Sequence, residues 1–309
     1  MSSRMLTALK IRTGPDGIHI FDRTTGTNIL IDEARVPEAL WAAAPRQISV
    51  ALTNACDLSC PFCYAPKHPA KLSSERVTTW LEELDANGCL GVGFGGGEPT
   101  LHRDLPGLCR HAAKKTGLAV TLTTHTHRLD DRLAADLSGN VHFIRVSMDG
   151  VGTTYEMLRG RSFASLRRRF DTIHELAQFG INFVVNALTL PDLDAAVTLA
   201  AEVGANEFLL LPEQPVRGRG GVDSHTVHAL RTWVNSYRGT IPLRVSEAGA
   251  DGLPTCNPLA RETGLRSYAH IDASGMLKRS SYDEAGVPIS AGGVMQALKM
   301  LELGIRSDR

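Results

Sequence analysis

The sequence predicts an α/β fold built on a parallel β-sheet. Between residues 47 and 240, short apolar runs of strand length alternate six times with stretches of helical character. The apolar runs are nearly continuous, which is typical of strands buried on both faces of a parallel sheet. Glycine follows several of the helical stretches, as expected where a helix ends. Six such units can form an open doubly wound sheet or a partial barrel, and periodicity alone does not decide between them.

The order of these elements is regular along the chain. We expect one helix at 74–87, with Ser73 or Ser74 as its N-cap, and another at 163–179 that Gly180 ends. Because the carboxyl ends of parallel strands meet at one edge, the working end of the fold should lie there. The other expected elements are strands at 48–53, 90–94, 119–123, 143–148, 181–188 and 207–211, and helices at 104–115, 130–137, 193–203 and 224–237.

A small antiparallel β unit precedes the central region. Its strands are expected at 6–12, 18–21 and 28–31, separated by turns rich in Gly, Pro and Thr. Residues 34–46 read as a connector. About 30 residues cannot bury a core of their own, so this unit must pack on the rest of the chain.

The βα rhythm changes after residue 240. A strand is possible at 243–246, a hairpin is expected at 268–272 and 276–279, and an amphipathic helix is expected at 292–303. The predicted domains are an N-terminal β unit with its connector (1–46), the central α/β region (47–240) and a C-terminal extension (241–309).

Composition excludes several classes of partner. The 309 residues include 33 basic and 33 acidic side chains, so the formal net charge is zero and neither a nucleic acid nor a membrane is expected as a partner. No apolar run reaches the roughly 18 residues of a spanning helix, and the N-terminus leads into no signal-peptide core. The six cysteines do not form the framework of a secreted protein. We therefore expect a cytoplasmic protein.

Three cysteines follow the first strand of the central region. Cys56, Cys60 and Cys63 have the spacing C-x3-C-x2-C. Cysteine thiolates hold iron–sulfur clusters, and three of them leave the fourth iron of a cubane open to a ligand. A structural zinc site would need a fourth ligand, for which His68 is the nearby candidate. The triplet favours a cluster but does not by itself exclude zinc.

The second strand of the region ends in a glycine-rich turn, Gly95-Gly96-Gly97-Glu98-Pro99-Thr100. Glycines let a backbone approach a ligand closely, and Glu98 adds a negative charge that suits an ammonium group. On its own, such a sequence is equally well explained as a tight βα turn.

Taken together, the two motifs resemble the radical S-adenosylmethionine (SAM) superfamily. The resemblance covers roughly residues 47–213 and rests on the cysteine triplet with Phe62 before its last cysteine, followed by Gly-Gly-Glu-Pro after the next strand. It implies a partial (β/α)6 TIM-like barrel. It also implies one 4Fe–4S cluster on Cys56, Cys60 and Cys63, with SAM chelating the fourth iron, and an electron donor such as flavodoxin or ferredoxin.

The resemblance also implies a set of cofactor-binding residues. His125 stands where many relatives have asparagine, so no role is assigned to it. Some of the implied positions have a plain structural explanation as well, since Asp149-Gly150 is a plausible turn and Asn186 a plausible strand-end amide. The implied cofactor contacts are Gly96, Gly97, Glu98, Thr124, Ser147, Asp149, Arg159, Asn186 and Leu211.

The C-terminal extension resembles the SPASM or twitch extension of peptide maturases. In those proteins a cysteine follows the hairpin and helps to hold an auxiliary cluster, whereas this chain has Ser280-Ser281 there. Cys256 is the one cysteine after residue 109, so the extension is a degenerate twitch-like unit and a single cluster is predicted. Cys256 is a packed thiol, a hydrogen-atom donor to a substrate radical, or a substrate contact. Cys89 and Cys109 are expected to pack in the core.

The resemblance implies an enzyme that reductively cleaves SAM to a 5′-deoxyadenosyl radical, which abstracts a hydrogen from the substrate. The leading hypothesis is modification of a ribosomally synthesised peptide by crosslinking, epimerisation or oxidation. The alternative is a small metabolite such as an amino acid, nucleoside or sugar, which the short N-terminal unit and the missing auxiliary cysteines favour. A third hypothesis is a zinc- or cluster-binding regulatory protein without turnover.

Overall fold

The structure is a computed structural model that describes residues 8–216, 218 and 220–304. The strands are β1 (Leu9–Gly14), β2 (Gly17–Asp22), β3 (Asn28–Ile31), β4 (Gln47–Thr53), β5 (Gly91–Gly96), β6 (Ala119–Thr124), β7 (Phe143–Ser147), β8 (Gln178–Val185), β9 (Glu207–Pro212), β10 (Leu243–Val245), β11 (Tyr268–Ile271), β12 (Met276–Lys278) and β13 (Val287–Pro288). The helices are α1 (Ser74–Ala86), α2 (Leu105–Lys115), α3 (Asp131–Leu137), α4 (Thr153–Arg159), α5 (Phe163–Arg167), α6 (Phe170–Leu176), α7 (Leu193–Glu202), α8 (Ser224–Ser236) and α9 (Gly293–Glu302).

The central sheet has ten strands in the order β10-β9-β8-β7-β6-β5-β4-β11-β12-β13. From β4 to β9, each strand is parallel to its predecessor in the sequence. In a doubly wound sheet the order of the strands reverses at a switch point, whereas the order from β4 to β9 follows the sequence without a reversal. The fold is therefore the partial (β/α)6 barrel. Each of its strands contributes to the wall of a single cavity, for example through Ser49, Gly93, Thr121, Arg145, Asn182 and Leu209.

The two faces of the barrel strands differ in character. Along β6, Val120 and Leu122 are fully buried, whereas the alternate residues Thr121 and Thr123 line the cavity. The buried face packs on the apolar side of helices such as α1, where Leu81 is fully buried. Burial of one such side chain contributes about 1.5–3 kcal/mol to stability. The helices thus hold the barrel together, and the small and polar inner residues leave its interior open.

The N-terminal β unit packs on the rest of the chain, as its size requires. Arg12 and Glu262 form a buried ion pair of 2.8 Å. Asp16 accepts hydrogen bonds from the backbone N–H groups of Arg261 and Glu262. These contacts attach the unit to the C-terminal part of the chain. Strand β1 spans Leu9–Gly14, and the first residues of the predicted strand lie outside the described part.

The C-terminal hairpin continues the barrel sheet. Strand β11 pairs in parallel with β4, and β12 returns antiparallel to it. Gly275 in the turn has φ +84°, a conformation that favours glycine. This pairing places Tyr268 and His270 beside Ser49 on the cavity side of the sheet.

Between residues 150 and 180 the expected elements are incomplete and partly wrong. Helix α4 was not predicted, and the single helix expected at 163–179 is two short helices, α5 and α6, followed at once by β8. Gly180 lies within β8 and does not end a helix. A side chain there would come within 2.9 Å of Glu207 and 3.1 Å of Phe143, so glycine is needed for packing across the strands. None of the helices in the described residues is long and apolar enough to cross a bilayer.

Candidate functional site

The cysteine loop runs from the end of β4 into α1. Cys56, Cys60 and Cys63 are free and partly exposed, and all three line the cavity. Cys56 Sγ accepts a hydrogen bond of 3.4 Å from the Leu58 N–H, and the Cys63 N–H donates to the Cys60 carbonyl at 3.2 Å. Burial raises the pKa of the Cys56 and Cys60 thiols, so a positive partner such as iron is needed to hold them as thiolates.

The arrangement of donors suits a cluster better than zinc. The ligands of one zinc ion converge on a single point. In the described part of the chain, no group of three metal-ligand atoms within 4.8 Å includes two of these cysteines or His68. His68 is exposed and lies near Asn54 and Ser274 instead. The described residues therefore give no support to a zinc site with His68 as its fourth ligand.

The glycine turn is fastened to the start of the cysteine loop. The Gly97 N–H donates to the Thr53 carbonyl at 2.7 Å, and the Glu98 N–H donates to the Ala55 carbonyl at 2.8 Å. A Cβ at Gly96 would lie 2.3 Å from the Thr53 oxygen, and one at Gly97 would lie 2.3 Å from the Ala55 oxygen. Gly96 also has φ +129°. These glycines are thus required by backbone contact within the protein, which the sequence could not distinguish from approach to a ligand.

Glu98 is buried, and both oxygens of its carboxylate accept hydrogen bonds from the protein. Oε1 accepts hydrogen bonds of 2.7 Å from the hydroxyls of Thr100 and Thr124, and Oε2 accepts one of 3.0 Å from the His125 N–H. The side chain is 1% exposed. Its visible function is to tie the ends of β5 and β6 together. Direct contact of this carboxylate with an ammonium group stays a prediction.

His125 is the site residue that sequence reasoning missed. It follows β6 directly, is 3% exposed, and places Nε2 at 2.9 Å from Asp57 Oδ1 and 3.3 Å from Glu98 Oε2. Asp57 lies inside the cysteine loop, between Cys56 and Cys60. These contacts connect the loop to two neighbouring strands. The only hint in the sequence was that His125 departs from the asparagine of the related motif.

Asp149 and Arg159 form a second buried cluster across the cavity. Asp149 Oδ2 pairs with Arg159, and its Oδ1 accepts a hydrogen bond of 2.6 Å from the Val184 N–H. Arg159 Nη1 lies 3.5 Å from Cys60 Sγ, and the guanidinium packs over the Phe62 ring. Burial alone would lower the pKa of Arg159, but Asp149, Cys60 and Tyr155 together outweigh that effect and hold it above the usual range. The pair is neutral as a whole, but its positive end, Arg159, faces the cysteine loop.

The C-terminal hairpin and the loop after it form another wall of the cavity. Ser49 Oγ lies between the Tyr268 hydroxyl and His270 Nδ1, the latter at 2.6 Å. Burial lowers the pKa of His270 to about 4, so its ring is neutral near pH 7. Tyr282 packs edge-on against Tyr64 with ring centroids 5.1 Å apart. Tyr64 follows Cys63, so this contact joins the cysteine loop to the extension.

The cavity has a volume of about 1030 Å³ and collects most of the predicted site residues. Asn186 is not among the residues that line it: its side chain accepts hydrogen bonds within its own turn and donates to Glu213, which does line the cavity. The predicted residues that line it are Cys56, Cys60, Cys63, Gly96, Gly97, Glu98, Thr124, Ser147, Asp149, Arg159 and Leu211.

The three remaining cysteines lie outside the cavity. Cys256 is exposed, so the structure does not support the hypothesis that it donates a hydrogen atom to a substrate radical inside the barrel. Cys89 and Cys109 are buried among apolar side chains, as expected. Burial raises the pKa of their thiols to about 11 and about 12, respectively, so both stay protonated.

Comparison with known proteins gives one family and several distant relatives. Residues 50–197 match the model of the radical SAM superfamily. Fe-coproporphyrin III synthase of Methanosarcina barkeri is 30% identical over 159 residues, which are 49% of this chain and 40% of that protein. The sporulation killing factor maturation protein SkfB of Bacillus subtilis is 30% identical over 185 residues, which are 57% of this chain and 43% of that protein.

A solved structure shares the fold over nearly the whole chain. The crystal structure of Streptococcus suis SuiB bound to precursor peptide SuiA has a TM-score of 0.74 at 14% identity, and the match covers 98% of this chain and 90% of that one. This likeness shows the fold. The chain spans less than half the length of the two curated relatives.

Proposed function

Because the chain contains a radical SAM superfamily domain at residues 50–197, we propose that it is a radical SAM enzyme that modifies a ribosomally synthesised peptide. The observation that carries the proposal is the direct backbone attachment of the Gly-Gly-Glu turn to the cysteine loop, with both lining one large cavity. Cys56, Cys60 and Cys63 would hold one 4Fe–4S cluster. SAM would bind beside it, along Gly96 and Gly97.

When bound, the cluster and SAM would supply the difficult chemistry, a one-electron cleavage that would yield a 5′-deoxyadenosyl radical able to abstract a hydrogen atom. The protein's own residues would position the cofactor and the substrate and shield them from water. Arg159 places a positive charge beside Cys60, and Ser147 offers a hydroxyl to the cavity. Tyr64 and Tyr282 pack against each other in the wall of the cavity and would help to exclude water from it. A small redox protein such as flavodoxin or ferredoxin would supply the electron.

A peptide substrate is supported by two of the similar proteins. SkfB is named for the maturation of a killing factor, and SuiB was crystallised with a precursor peptide. The cavity also has room for a side chain next to the cofactor. A small metabolite is the second candidate, because the cavity reaches down to inner barrel residues such as Arg145 and Asn182, and because one relative is a coproporphyrin synthase.

Cofactor cleavage tests the enzyme class. Protein reconstituted anaerobically with iron and sulfide, reduced with dithionite and given SAM should form 5′-deoxyadenosine. The triple variant Cys56→Ala/Cys60→Ala/Cys63→Ala should form none, whereas the matched control Cys256→Ala should equal the wild type, since that thiol is exposed and outside the cavity. Product from the triple variant would contradict the proposal. A wild type that binds the cluster without turnover would favour a regulatory protein.

Mass spectrometry tests the substrate class. The reconstituted enzyme is incubated with a peptide encoded beside its own gene, and a mass change at one residue is the expected result. An unchanged peptide, in a reaction that still forms 5′-deoxyadenosine, would argue against peptide maturation and favour the small metabolite.

A further inference from the structure

Asp57 receives donors from three separate parts of the barrel. His125 Nε2 lies 2.9 Å from Oδ1, and Arg128 Nε and Arg161 Nη2 lie 3.1 and 3.2 Å from Oδ2. His125 follows β6, Arg128 precedes α3, and Arg161 follows α4. Since Asp57 is flanked by two of the three cysteines, these contacts hold the cysteine loop in addition to its backbone attachment to the glycine turn.

The three contacts to Asp57 should differ in strength. The side chains of Arg128 and Arg161 are 50% and 42% exposed, and ion pairs with such exposure contribute little to stability. The His125 side chain is 3% exposed, so its hydrogen bond to Asp57 has little competition from water. The His125 contact should therefore dominate.

The geometry of His125 is fixed on every side. Nδ1 accepts a hydrogen bond of 3.2 Å from the His127 N–H, which puts the ring proton on Nε2, facing Asp57. The His125 N–H is held by Glu98 Oε2. In the described part of the chain, the next residue, Thr126, is the one non-glycine with positive φ, at 66°. A β-branched residue adopts this conformation at a cost, which is typical of a backbone constrained for function.

We infer that His125 is a positioning residue that fixes the cysteine loop through Asp57. The Nε2–H hydrogen bond holds the stretch from Cys56 to Cys60 in place before any metal arrives, so the thiols need little rearrangement to receive it. The inference rests on the proposed function only in assuming that the loop receives a cluster; the ordering of the loop is a property of the metal-free protein.

Hydrogen exchange of the metal-free protein tests the ordering directly. Under anaerobic, reducing conditions, His125→Ala should speed amide exchange across residues 56–63 at least tenfold, while exchange in β8 stays unchanged. His125→Gln, whose side-chain amide offers an N–H toward Asp57, should restore most of the protection. The control Arg128→Ala removes an exposed contact and should change exchange less than threefold. Wild-type exchange at 56–63 in His125→Ala would overturn the inference.

Asp57→Ala removes the same contact from the other partner. Asp57 is on a loop and its side chain is 21% exposed, so this variant should fold even if His125→Ala does not. It should loosen residues 56–63 as His125→Ala does, and the double variant should add nothing further. Additive effects, or an unaffected loop in Asp57→Ala, would overturn the inference.

Cluster retention is the second readout. After reconstitution, the variants with a loosened loop should lose iron to a chelator at least tenfold faster and give a broadened EPR signal in the reduced state. If the wild type takes up no iron, the proposed function fails and hydrogen exchange still decides the role of His125. If it takes up iron and His125→Ala retains it as the wild type does, the inference fails alone.

Discussion

Glu98 and Asp149 are two carboxylates at the ends of barrel strands, each about 1% exposed, and they are stabilised in opposite ways. Glu98 accepts hydrogen bonds from the hydroxyls of Thr100 and Thr124 and from backbone N–H groups. Asp149 is paired with the guanidinium of Arg159, with one backbone N–H in addition. Burial of a charge is costly, and both solutions offset that cost.

The two carboxylates therefore have different roles: Glu98 joins neighbouring segments of the barrel, and Asp149 balances the charge of Arg159. The donors to the Glu98 carboxylate lie in its own turn and at the end of β6, so the carboxylate joins the ends of β5 and β6. The backbone N–H of Glu98 attaches the same turn to Ala55 at the start of the cysteine loop. Asp149 instead balances a cation whose other end reaches Cys60 at 3.5 Å. We therefore expect changes at Glu98 to act first on folding and on the shape of the loop, and changes at Arg159 to act on the electrostatics of the cluster.

Removal of the Glu98 carboxylate should have the largest effect. Glu98→Ala leaves the Thr124 hydroxyl and the backbone N–H groups of Thr100 and His125 without an acceptor in a buried site, so we expect a loss of about 4 kcal/mol in the free energy of unfolding. Urea unfolding measures it.

Glu98→Gln sharpens this first prediction. Donors face both carboxylate oxygens, so an amide must turn its NH₂ group toward one set of them. The variant should therefore lose more than half as much stability as Glu98→Ala. A Gln variant as stable as the wild type would mean that charge and acceptor number at this position are unimportant.

Asp149→Ala should have the next largest effect. It leaves Arg159, whose side chain is 11% exposed, without its counter-charge, and breaking a buried pair in this way costs about 3 kcal/mol. The double variant Asp149→Ala/Arg159→Met replaces the pair by apolar groups and should recover at least half of that loss. Thermal and urea unfolding of the single and double variants measure the coupling free energy between Asp149 and Arg159. A double variant less stable than Asp149→Ala would contradict the charge-balance explanation.

The fold was largely predictable from sequence because it depends on repeated local signals. The apolar runs gave the strands to within a few residues, and the resemblance decided for the barrel. The error at Gly180 arose because this glycine is required by a long-range contact. Gly180 read as a helix stop because its packing against Glu207 on the next strand leaves no mark nearby.

The candidate site shows the same division. Cys56, Cys60, Cys63 and the glycine turn were found because their spacing is local and specific. His125 was missed because its partner Asp57 is 68 residues away, and a single histidine carries no pattern. The resemblance implied a cofactor contact for Asn186, and in the structure its side-chain oxygen accepts hydrogen bonds from its own turn, as a strand-end amide would.

Arg159→Lys should have the smallest effect on stability and isolates the contact with Cys60. Lysine keeps the charge that Asp149 needs, so we expect a loss of only about 1 kcal/mol. The single ammonium group of lysine cannot contact both Asp149 and Cys60 Sγ as the guanidinium of Arg159 does, so the hydrogen bond to sulfur should be lost. Hydrogen bonds to ligating sulfurs help to set the potential of an iron–sulfur cluster, and their loss lowers it. An EPR-monitored redox titration of the reconstituted variant should thus show a lower potential than the wild type. An unchanged potential would mean that Arg159 only balances the charge of Asp149 and does not act on the cluster. Glu98 and Asp149 would then differ only in which groups donate hydrogen bonds to them.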